Sequence, residues 1–451
     1  MATPWARPQS RLAVNILLFS IAYLGCAELG YLLASLCEYS IFWPASGLSL
    51  VVLARNSQRR RMGLALAILL ASTTSEWLIH QQPFLVGLGH ATANLIEPLL
   101  GVWLLERFVG PGLRLGRLPE VVALIILPAT LSTALAAALG ASATSAIAPM
   151  GSGSSIAWAS WWVADALGIL IVAPLAVSLW EMAGQNPRKR KELAQWNWRW
   201  LAEVVLGLVA LGFVSDWVFR LQNRPLTSAS LPILLWLALR FDVRGVALGN
   251  AILAVVALWN SALGRGPFSA IENPPERILL AQGFLSVATI SLLVLAVVVR
   301  ERRLAQAAVE QSNQRFTSFM NNSPAVAFMK DADGRMVYVN EPFERTFQKS
   351  QDQILGKLDH ELWPPHVAQE LRAHDLAVLA GGQAIISTET VPTSDDLIHV
   401  WQVYKFPLQD EGGRTLVGGM AVDVTAERQA AEALHASEQR FRGLIERLSE
   451  G

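Results

Sequence analysis

The segment that decides the fold class is WWVADALGILIVAPLAVSLWE, residues 161–181, in which Asp165 is the only charged residue before Glu181. A helix needs ~20 mostly apolar residues to cross a bilayer, and this segment has that length. Further apolar runs lie on both sides of it, whereas the sequence after Arg300 is polar and mixed. The sequence therefore predicts a membrane domain over residues 1–299, followed by a soluble part.

Composition supports this division. The chain of 451 residues is 53% hydrophobic and 16% charged, whereas an ordinary soluble domain carries about 25% charged residues. The formal net charge is zero, so nothing argues for a nucleic acid as partner. Both cysteines, Cys26 and Cys37, lie in or beside the first apolar run, which predicts neither a disulfide framework nor a CxxC metal site.

We predict an α-helical polytopic membrane domain with about 8–10 spans. The ten candidate segments lie near residues 12–34, 40–54, 62–80, 83–105, 119–141, 157–180, 200–219, 229–240, 243–262 and 278–299. Since the second and the eighth are short, they can be re-entrant segments, and eight spans is the alternative count.

The charges of the loops indicate an orientation. When ten spans alternate from a cytoplasmic N-terminus, nineteen Arg and Lys residues fall on the inner side and four on the outer side. Because basic residues favour the cytoplasmic side, we expect both termini in the cytoplasm. The expected location is the bacterial inner (plasma) membrane, with the lipid bilayer as a partner of the chain.

Polar residues within the spans are the candidate sensory groups. A charge at the bilayer centre costs roughly 2.5–3.5 kcal/mol or more, and Glu76, Glu97 and Asp165 lie in apolar runs. His90 and Asn94 precede Glu97 at helical spacing, so the three share one face of a helix. Such a face can bind a ligand or relay protons. The alternative is that these groups only pair with each other between helices.

Several motifs recur in a fixed order along the apolar part. IFWPASGLSLVVLA contains W-P-x-x-G, formed by Trp43, Pro44 and Gly47. WWVADALGILIVAP contains D-A-L-G-x-L-x-x-A-P, with Gly168 and Pro174, and the runs LLWLALRF and GRGPF follow. Together they resemble the first type of membrane-associated sensor (MASE) domain. The resemblance implies a role at the front of a bacterial histidine kinase or cyclic-di-GMP enzyme, with no defined stimulus.

The soluble part reads as two strands, several helices and three strands, which predicts an α/β domain with a five-stranded antiparallel sheet. It resembles the Per-Arnt-Sim (PAS) fold over residues 316–425, through DADGRMVYVNEPFERTF, LGKLDHELWPP and the D-V-T of Asp423 to Thr425. In that family this Asp-x-Thr element links the last strand to the exit helix. The resemblance therefore implies that Asp423 and Thr425 form the signal exit, while the alternative is a simple helix cap.

The cofactor of this domain is unknown from the sequence. Phe328, Tyr338, Trp363, Trp401 and Tyr404 can line an apolar pocket or can simply form the core. The soluble part has no cysteine, which excludes a flavin adduct but not a flavin bound without one. Its histidines do not favour haem, because a histidine on a soluble helix is usually exposed. We expect a PAS domain that is empty or binds a small molecule, and no metal site.

Two similar helical segments flank the PAS domain. QSNQRF at residues 311–316 recurs as ASEQRF at residues 436–441. We expect a connector helix at residues 300–315, and an exit helix with the start of a second PAS domain at residues 426–451. Weak heptad stripes in both segments predict a homodimer through the connector helices. The alternative is an amphipathic helix that packs on its own domain.

The sequence contains no catalytic motif. It lacks a P-loop, a histidine-kinase phosphoacceptor segment, a GGDEF or EAL string and a G-x-S-x-G elbow. We therefore expect the sensory front of a longer receptor, whose partner is a downstream output domain, a histidine kinase or a diguanylate cyclase, or a response regulator. One alternative is a multi-span transporter with a regulatory PAS domain. Another is an interaction protein, if the chain ends at Gly451.

Overall fold

The computed structural model of the chain describes residues 8–36, 40–146, 154–183, 198–221, 226–393, 397–410 and 412–449. The chain divides into two compact units, Met1–Ala305 and Gln306–Gly451. Each unit is described by itself below.

All the secondary structure described for the first unit is helical. Its helices are α1 (Pro8–Ala34), α2 (Pro44–Ala54), α3 (Gln58–Thr74), α4 (Phe84–Phe108), α5 (Leu118–Ile126), α6 (Thr133–Ser145), α7 (Ser154–Ala183), α8 (Trp198–Arg220), α9 (Leu231–Ala262) and the start of α10 (Pro274–Asn321). Two π-helical turns, Ser75–Ile79 and Leu127–Ser132, extend α3 and join α5 to α6. A 3-10 turn, Thr227–Ser230, precedes α9.

Within the described residues, 8 helices are long and apolar enough to cross a membrane, which confirms a polytopic domain of about 8–10 spans. The short second candidate is α2, which has only 11 residues. The eighth and ninth candidates, residues 229–240 and 243–262, are covered by the 3-10 turn Thr227–Ser230 and α9. The two arms of α9 meet at Asp242, whose backbone is not helical (φ 55°, ψ −151°).

The two arms of α9 fold back on each other. A Cβ atom placed on Gly245 would lie 2.7 Å from the carbonyl oxygen of Leu237, and one placed on Gly249 would lie 2.6 Å from Leu234. In a straight helix, residues eight positions apart are separated by about 12 Å. The break at Asp242 therefore makes α9 a helical hairpin, in which the chain reverses and the second arm packs against the first.

One end of the bundle collects basic residues, and we call it the arginine-rich end. Its ion pairs and hydrogen bonds join Arg55 to Glu181, Arg61 to Glu106, Arg240 to Glu203, Arg303 to Asp242, and the Leu118 amide to Glu301. If the ten candidate segments of the sequence each cross the membrane in turn, all of these residues fall on the same side of it. The hairpin of α9 is needed for this arrangement, because it brings Asp242 to the same end as Arg303.

Helices α2 and α7 approach each other through glycine. The Trp43 amide donates a hydrogen bond to the Ala164 carbonyl oxygen at 3.2 Å. A Cβ atom on Gly168 would collide with the Trp43 carbonyl oxygen, and one on Gly47 would collide with the Gly168 carbonyl oxygen. Small residues permit such close backbone approach between membrane helices, so the two sequence motifs meet at this contact.

Gly168→Ala should therefore destabilise the membrane unit. The added methyl group has to displace backbone rather than a flexible side chain, and overpacking of this kind costs about 1–3 kcal/mol. The measurement is the midpoint of thermal unfolding in detergent. Gly283→Ala in α10 is the matched control, because nothing lies within 4 Å of its Cβ position. Equal midpoints for the two variants would contradict a tight α2–α7 contact.

The second unit contains a five-stranded sheet with helices against it, as predicted. The strands are β1 (Val326–Lys330), β2 (Met336–Val339), β3 (Ile385–Pro392), β4 (Ile398–Gln409) and β5 (Thr415–Asp423). The helices are α11 (Glu341–Phe347), α12 (Gln351–Ile354), α13 (Asp359–Leu362), α14 (Pro365–Gly381) and α15 (Thr425–Ser449). The strand order is β2-β1-β5-β4-β3, and all neighbouring strands are antiparallel.

Asn340, which is completely buried, joins three segments of this unit. Its side-chain oxygen accepts hydrogen bonds from the amides of Ala327 at 2.9 Å and Phe343 at 3.1 Å. Its amide nitrogen donates to the carbonyl oxygens of Met320 and Ala325, both at 2.9 Å. One side chain thus caps α11 and fixes the end of α10 beside β1.

Candidate functional site

The centre of the candidate site is a pair of buried carboxyl groups, Glu97 of α4 and Asp165 of α7, which are 1% and 0% exposed. They interact with each other, and Ser46 of α2 lies beside Glu97. None of their four oxygens makes a hydrogen bond of standard geometry with a described residue. Two carboxylates this close in a medium of low dielectric cannot both keep an uncompensated charge. A proton, a cation or a polar ligand bound between the two carboxyl groups would relieve this repulsion.

A second polar group, which we call the Glu76 cluster, lies towards the end of the bundle opposite the arginine-rich end. Glu76 accepts a hydrogen bond from the Tyr31 hydroxyl at 2.5 Å and contacts His90 Nδ1 at 2.9 Å. His90 Nε2 lies 2.8 Å from the Thr144 hydroxyl. His80 stacks on Tyr31 with ring centroids 3.7 Å apart. The cluster joins α1, α4, α6 and the first π-helical turn.

Two further hydrogen bonds join neighbouring helices between the Glu76 cluster and the carboxyl pair. Asn94 donates to the Ser72 hydroxyl at 3.1 Å, and the Ser132 hydroxyl donates to the Glu97 carbonyl oxygen. Glu76 and Ser132 both belong to π-helical turns. Such turns are rare overall, and those that occur are often at functional sites. Two of them contribute residues to this region, which supports a functional role independently of burial.

The structure brings most of the predicted sensory residues together. The residues on or beside the network are Trp43, Pro44, Gly47, Glu76, His90, Asn94, Glu97, Asp165 and Gly168. Pro174 lies two turns further along α7, where its carbonyl oxygen accepts a hydrogen bond from Ser178. Sequence reasoning missed Tyr31 and Thr144 as partners, because ordinary tyrosine and threonine residues in a span carry no signal.

The predicted PAS pocket is present but small. Phe328, Trp363 and Trp401 line a cavity of about 40 Å³, which has room for little more than water. Trp401 Nε1 is buried without a hydrogen-bond partner among the described residues.

Two of the predicted pocket residues, Tyr338 and Tyr404, lie outside the cavity. Tyr338 packs on Phe316 with ring centroids 5.8 Å apart, and Tyr404 is 42% exposed. Alternation along β4 explains the second case, because Trp401 points inward and Tyr404 outward.

A cluster of buried charges lies beside this cavity. Lys330 Nζ is 2.7 Å from Asp359 and 2.8 Å from Asp375. Lys405 Nζ is 2.9 Å from both Asp375 and Glu389. Both lysines are at most 1% exposed. Two ammonium groups thus balance two of three carboxylates. A signal for this cluster exists in the sequence, because Lys405 occupies an inward position of β4.

Asp375 is the centre of this cluster. Burial opposes its ionisation, but Lys330 and Lys405 outweigh that effect and lower the pKa of the Asp375 carboxyl. Burial dominates at Asp359 and raises the pKa of that carboxyl, despite its contact with Lys330. Burial also disfavours the charged form of Lys405, yet the contacts with Asp375 and Glu389 raise its pKa. Asp375 is therefore the carboxylate that contacts both lysines.

Asp375→Asn should destabilise the second unit by about 3–5 kcal/mol, because it leaves two buried ammonium groups short of a partner. The lowered pKa means that Asp375 stabilises the fold above its unfolded-state value of about 4, and that this stability is lost as the pH falls. Denaturant unfolding of residues 306–451 at pH 7 and pH 3 measures both effects. Asp333→Asn is the control, because Asp333 is exposed and makes no hydrogen bond or ion pair with a described residue. A loss for Asp375→Asn no larger than the control's at pH 7 would contradict the prediction.

The predicted signal exit ties α15 to the sheet. Asp423 accepts hydrogen bonds from the Thr425 amide at 2.9 Å and the Thr425 hydroxyl at 2.6 Å. Its other oxygen lies 2.6 Å from His399 Nδ1. The Thr425 hydroxyl also accepts from the Val400 amide at 2.9 Å. Although burial works against it, the bonds from Thr425 and His399 lower the pKa of Asp423. The pair is thus more than a helix cap, because it also reaches β4.

Thr425→Val should loosen this junction. It removes the acceptor of the Val400 amide and the donor to Asp423, a loss of about 1–3 kcal/mol in the free energy of unfolding. Thr425→Ser keeps the hydroxyl and should retain most of that stability. Hydrogen exchange at the Val400 amide and denaturant unfolding measure the effect. If serine and valine behave alike, the junction depends on the methyl group instead.

Comparison with known proteins agrees with this architecture. A MASE1 family model matches residues 12–303, and a PAS-fold model matches residues 320–429. Comparison with curated proteins finds no significant match.

Among solved structures, a PAS domain from Colwellia psychrerythraea is 14% identical, with a TM-score of 0.23, and the match covers 25% of this chain and 97% of that one. The PAS domain of an HTR-like protein from Haloarcula marismortui is 20% identical, with a TM-score of 0.24, covering 27% and 98%. The phage VqmA–DPO complex is 21% identical, with a TM-score of 0.24, covering 30% and 62%. The match thus spans under two thirds of that last protein.

The solved structures carry no argument at these TM-scores, so the assignment rests on the two family models. The resemblance drawn from the sequence motifs is thereby confirmed. The MASE1 match covers more than half of the chain, and the described helices are those of a multi-pass membrane protein. The chain belongs to the MASE1 family, as a membrane sensory module in which a PAS domain follows the MASE1 domain.

Proposed function

We propose that the membrane unit detects a stimulus at the carboxyl pair and the Glu76 cluster, and that the PAS domain relays it to an output domain. The observation that carries this proposal is the burial of Glu97 and Asp165 beside each other, without a hydrogen bond of standard geometry to a described residue. A fold keeps such groups at a cost. Binding or release of a proton, a cation or a polar ligand would change that cost and favour one helix arrangement over another.

The arginine-rich end faces the cytoplasm in this proposal, because basic residues favour that side. The Glu76 cluster then lies towards the outer side of a bacterial inner membrane. Both termini and the PAS domain lie inside the cell. A stimulus can reach the carboxyl pair from the outer side through Glu76, His90 and Asn94, which link it to that end of the bundle.

Transmission requires two discrete arrangements of packed helices. The π-helical turns at Ser75–Ile79 and Leu127–Ser132 are suitable elements, because a π turn can shift its register along the helix. The proposed route leaves through α10 and the connector at residues 300–315. It continues through the PAS domain to Asp423 and Thr425, and then along the exit helix at residues 426–451.

Exposed apolar side chains support a homodimer through the connector helices. In the connector and the end of α10, Val309 is 61%, Phe316 42% and Phe319 72% exposed. In α15, Leu434 and Phe441 are 62% and 67% exposed. These positions repeat at heptad spacing, and a second copy of the chain would cover them. In this proposal, a histidine kinase or a diguanylate cyclase provides the output.

A transporter with a regulatory PAS domain is the alternative function. Transporters of this type use helices broken near the midplane to bind their substrate. In the described residues of the membrane unit, the sharp reversal at Asp242 lies at the arginine-rich end, where Arg303 pairs with Asp242. That position favours the sensor, and uptake of substrate into vesicles would favour the transporter.

Disulfide crosslinking in native membranes provides the test. Val309→Cys should crosslink two copies of the full chain, whereas Ala307→Cys, on the opposite face of the same helix, should not. Asp165→Asn and Glu97→Gln, each combined with Val309→Cys, should change the crosslinking yield at least twofold, because each removes a titratable group from the pair. Asp216→Asn is the control, since Asp216 lies in a span but pairs with Arg220 at the surface.

Two outcomes would contradict the proposal. Equal crosslinking at positions 307 and 309 would argue against an ordered dimer of connector helices. An unchanged yield in both carboxyl variants, at normal expression and membrane insertion, would argue against the carboxyl pair as the sensory site.

A further inference from the structure

The arginine-rich end contains a cavity that the proposed function does not use. Its volume is about 570 Å³, which is within the range of about 300–1,000 Å³ for small-molecule sites. Its apolar part includes Leu115, Val177 and Val243, which are at most 4% exposed. The cavity lies between the start of α5, the end of α7, the second arm of α9 and α10. It is therefore formed where four segments of the membrane unit converge.

The charges around this cavity are not balanced. Its three carboxylates are already bound: Glu120 accepts from the amides of Gly116 and Arg117, Glu181 pairs with Arg55, and Glu301 accepts from the amide of Leu118.

Four guanidinium groups line the same cavity, those of Arg114, Arg117, Arg244 and Arg300. None of them makes a hydrogen bond or an ion pair with any residue in the part of the chain that the structure describes. Arg300 is half-buried, and the other three are exposed.

We infer that this cavity binds a phosphate-bearing anion. Guanidinium groups bind phosphate oxygens with two parallel hydrogen bonds, and four of them from three separate segments can surround one phosphate. The apolar residues fit the rest of an amphiphilic molecule. The same chemistry is supplied by the headgroup of an anionic lipid of the inner leaflet or by a soluble phosphate compound. Positive charge near the inner leaflet alone would need neither a cavity nor a convergence of segments.

The position of Arg300 gives this site a regulatory role. It lies on α10, immediately before the connector, and Glu301 of the same helix is held by the amide of Leu118. An anion bound between Arg300 and the segment of Arg114 and Arg117 would fix the exit of α10 against α5. Binding of the anion would therefore set how readily the end of α10 moves when the Glu76 cluster or the carboxyl pair changes.

The test measures binding by the full 451-residue chain in nanodiscs. One arm compares the midpoint of thermal unfolding in phosphatidylglycerol with that in phosphatidylcholine. The other arm titrates pyrophosphate in phosphatidylcholine nanodiscs. The variant is Arg114→Gln with Arg300→Gln. The matched control is Arg59→Gln with Arg60→Gln, which removes the same charge from exposed arginines that do not line the cavity.

We expect stabilisation of wild type and control in at least one arm. Loss of one charged hydrogen-bond partner weakens binding about tenfold or more, so the cavity variant should lose most of the response. A response to phosphatidylglycerol alone identifies a lipid, and a response to pyrophosphate identifies a soluble phosphate. If the double variant unfolds in phosphatidylcholine, Arg300→Lys replaces it, since lysine keeps the charge but not the paired hydrogen bonds.

The inference is overturned if neither probe stabilises the wild type, or if the control loses as much response as the cavity variant. The second result would mean that only the general charge of the surface matters. Because binding is measured without crosslinking, failure here leaves the proposal about the carboxyl pair unaffected.

Discussion

The backbone contact between α2 and α7 is the constraint on which the membrane unit depends. Trp43 bonds to the backbone of α7, and Gly47 and Gly168 leave no space for a side chain between the two helices. This contact lets an 11-residue helix reach the interior of the bundle. It also places Ser46 of α2 and Asp165 of α7 next to Glu97 of α4. The two motifs of the family are thus two halves of a single contact, and the candidate sensory site is built upon it.

Buried charge is treated differently in the two units. In the PAS domain, Lys330 and Lys405 reach three carboxylates, and each lysine makes two ion pairs. These ion pairs offset part of the cost of burying the charges. In the membrane unit, no described basic residue compensates Glu97 and Asp165. A group without compensation responds to a proton, a cation or a ligand, because each of these supplies the missing partner.

The arginine-rich end has the opposite imbalance. Its carboxylates are bound, and four of its arginines are left without a described partner. Helix α7 contributes to both places: Asp165 belongs to the proposed sensory pair, and Val177 lines the proposed anion site. A change at either site therefore acts on the same packed helix. The hairpin of α9 contributes to this arrangement, because its break places Asp242 beside Arg303 of α10 and Arg244 at the same end of the bundle.

Local sequence pattern was sufficient for much of this protein. Apolar length determined the spans, loop charges indicated which ends lie together, and alternation with turn residues determined a five-stranded sheet. These features depend on neighbouring residues and on the bilayer as solvent. The number of spans stayed open, because a short apolar segment has the same composition whether it crosses, re-enters or folds back. Only the positive φ of Asp242 and the glycine contacts of α9 show that the two arms of this helix fold back on each other.

Residues that meet across helices could be located only by the tertiary structure. The sequence identified Glu97 and Asp165 as polar residues in apolar runs, but it could not pair them, since they are far apart in the chain and lie on different helices. The links from Tyr31 to Glu76 and from His90 to Thr144 are of the same kind. The sequence suggested Tyr338 and Tyr404 as pocket residues because they are aromatic. In the folded sheet, neither side chain lines the cavity. Periodicity is a property of one segment, whereas a site requires the register between several segments, and only packing determines that register.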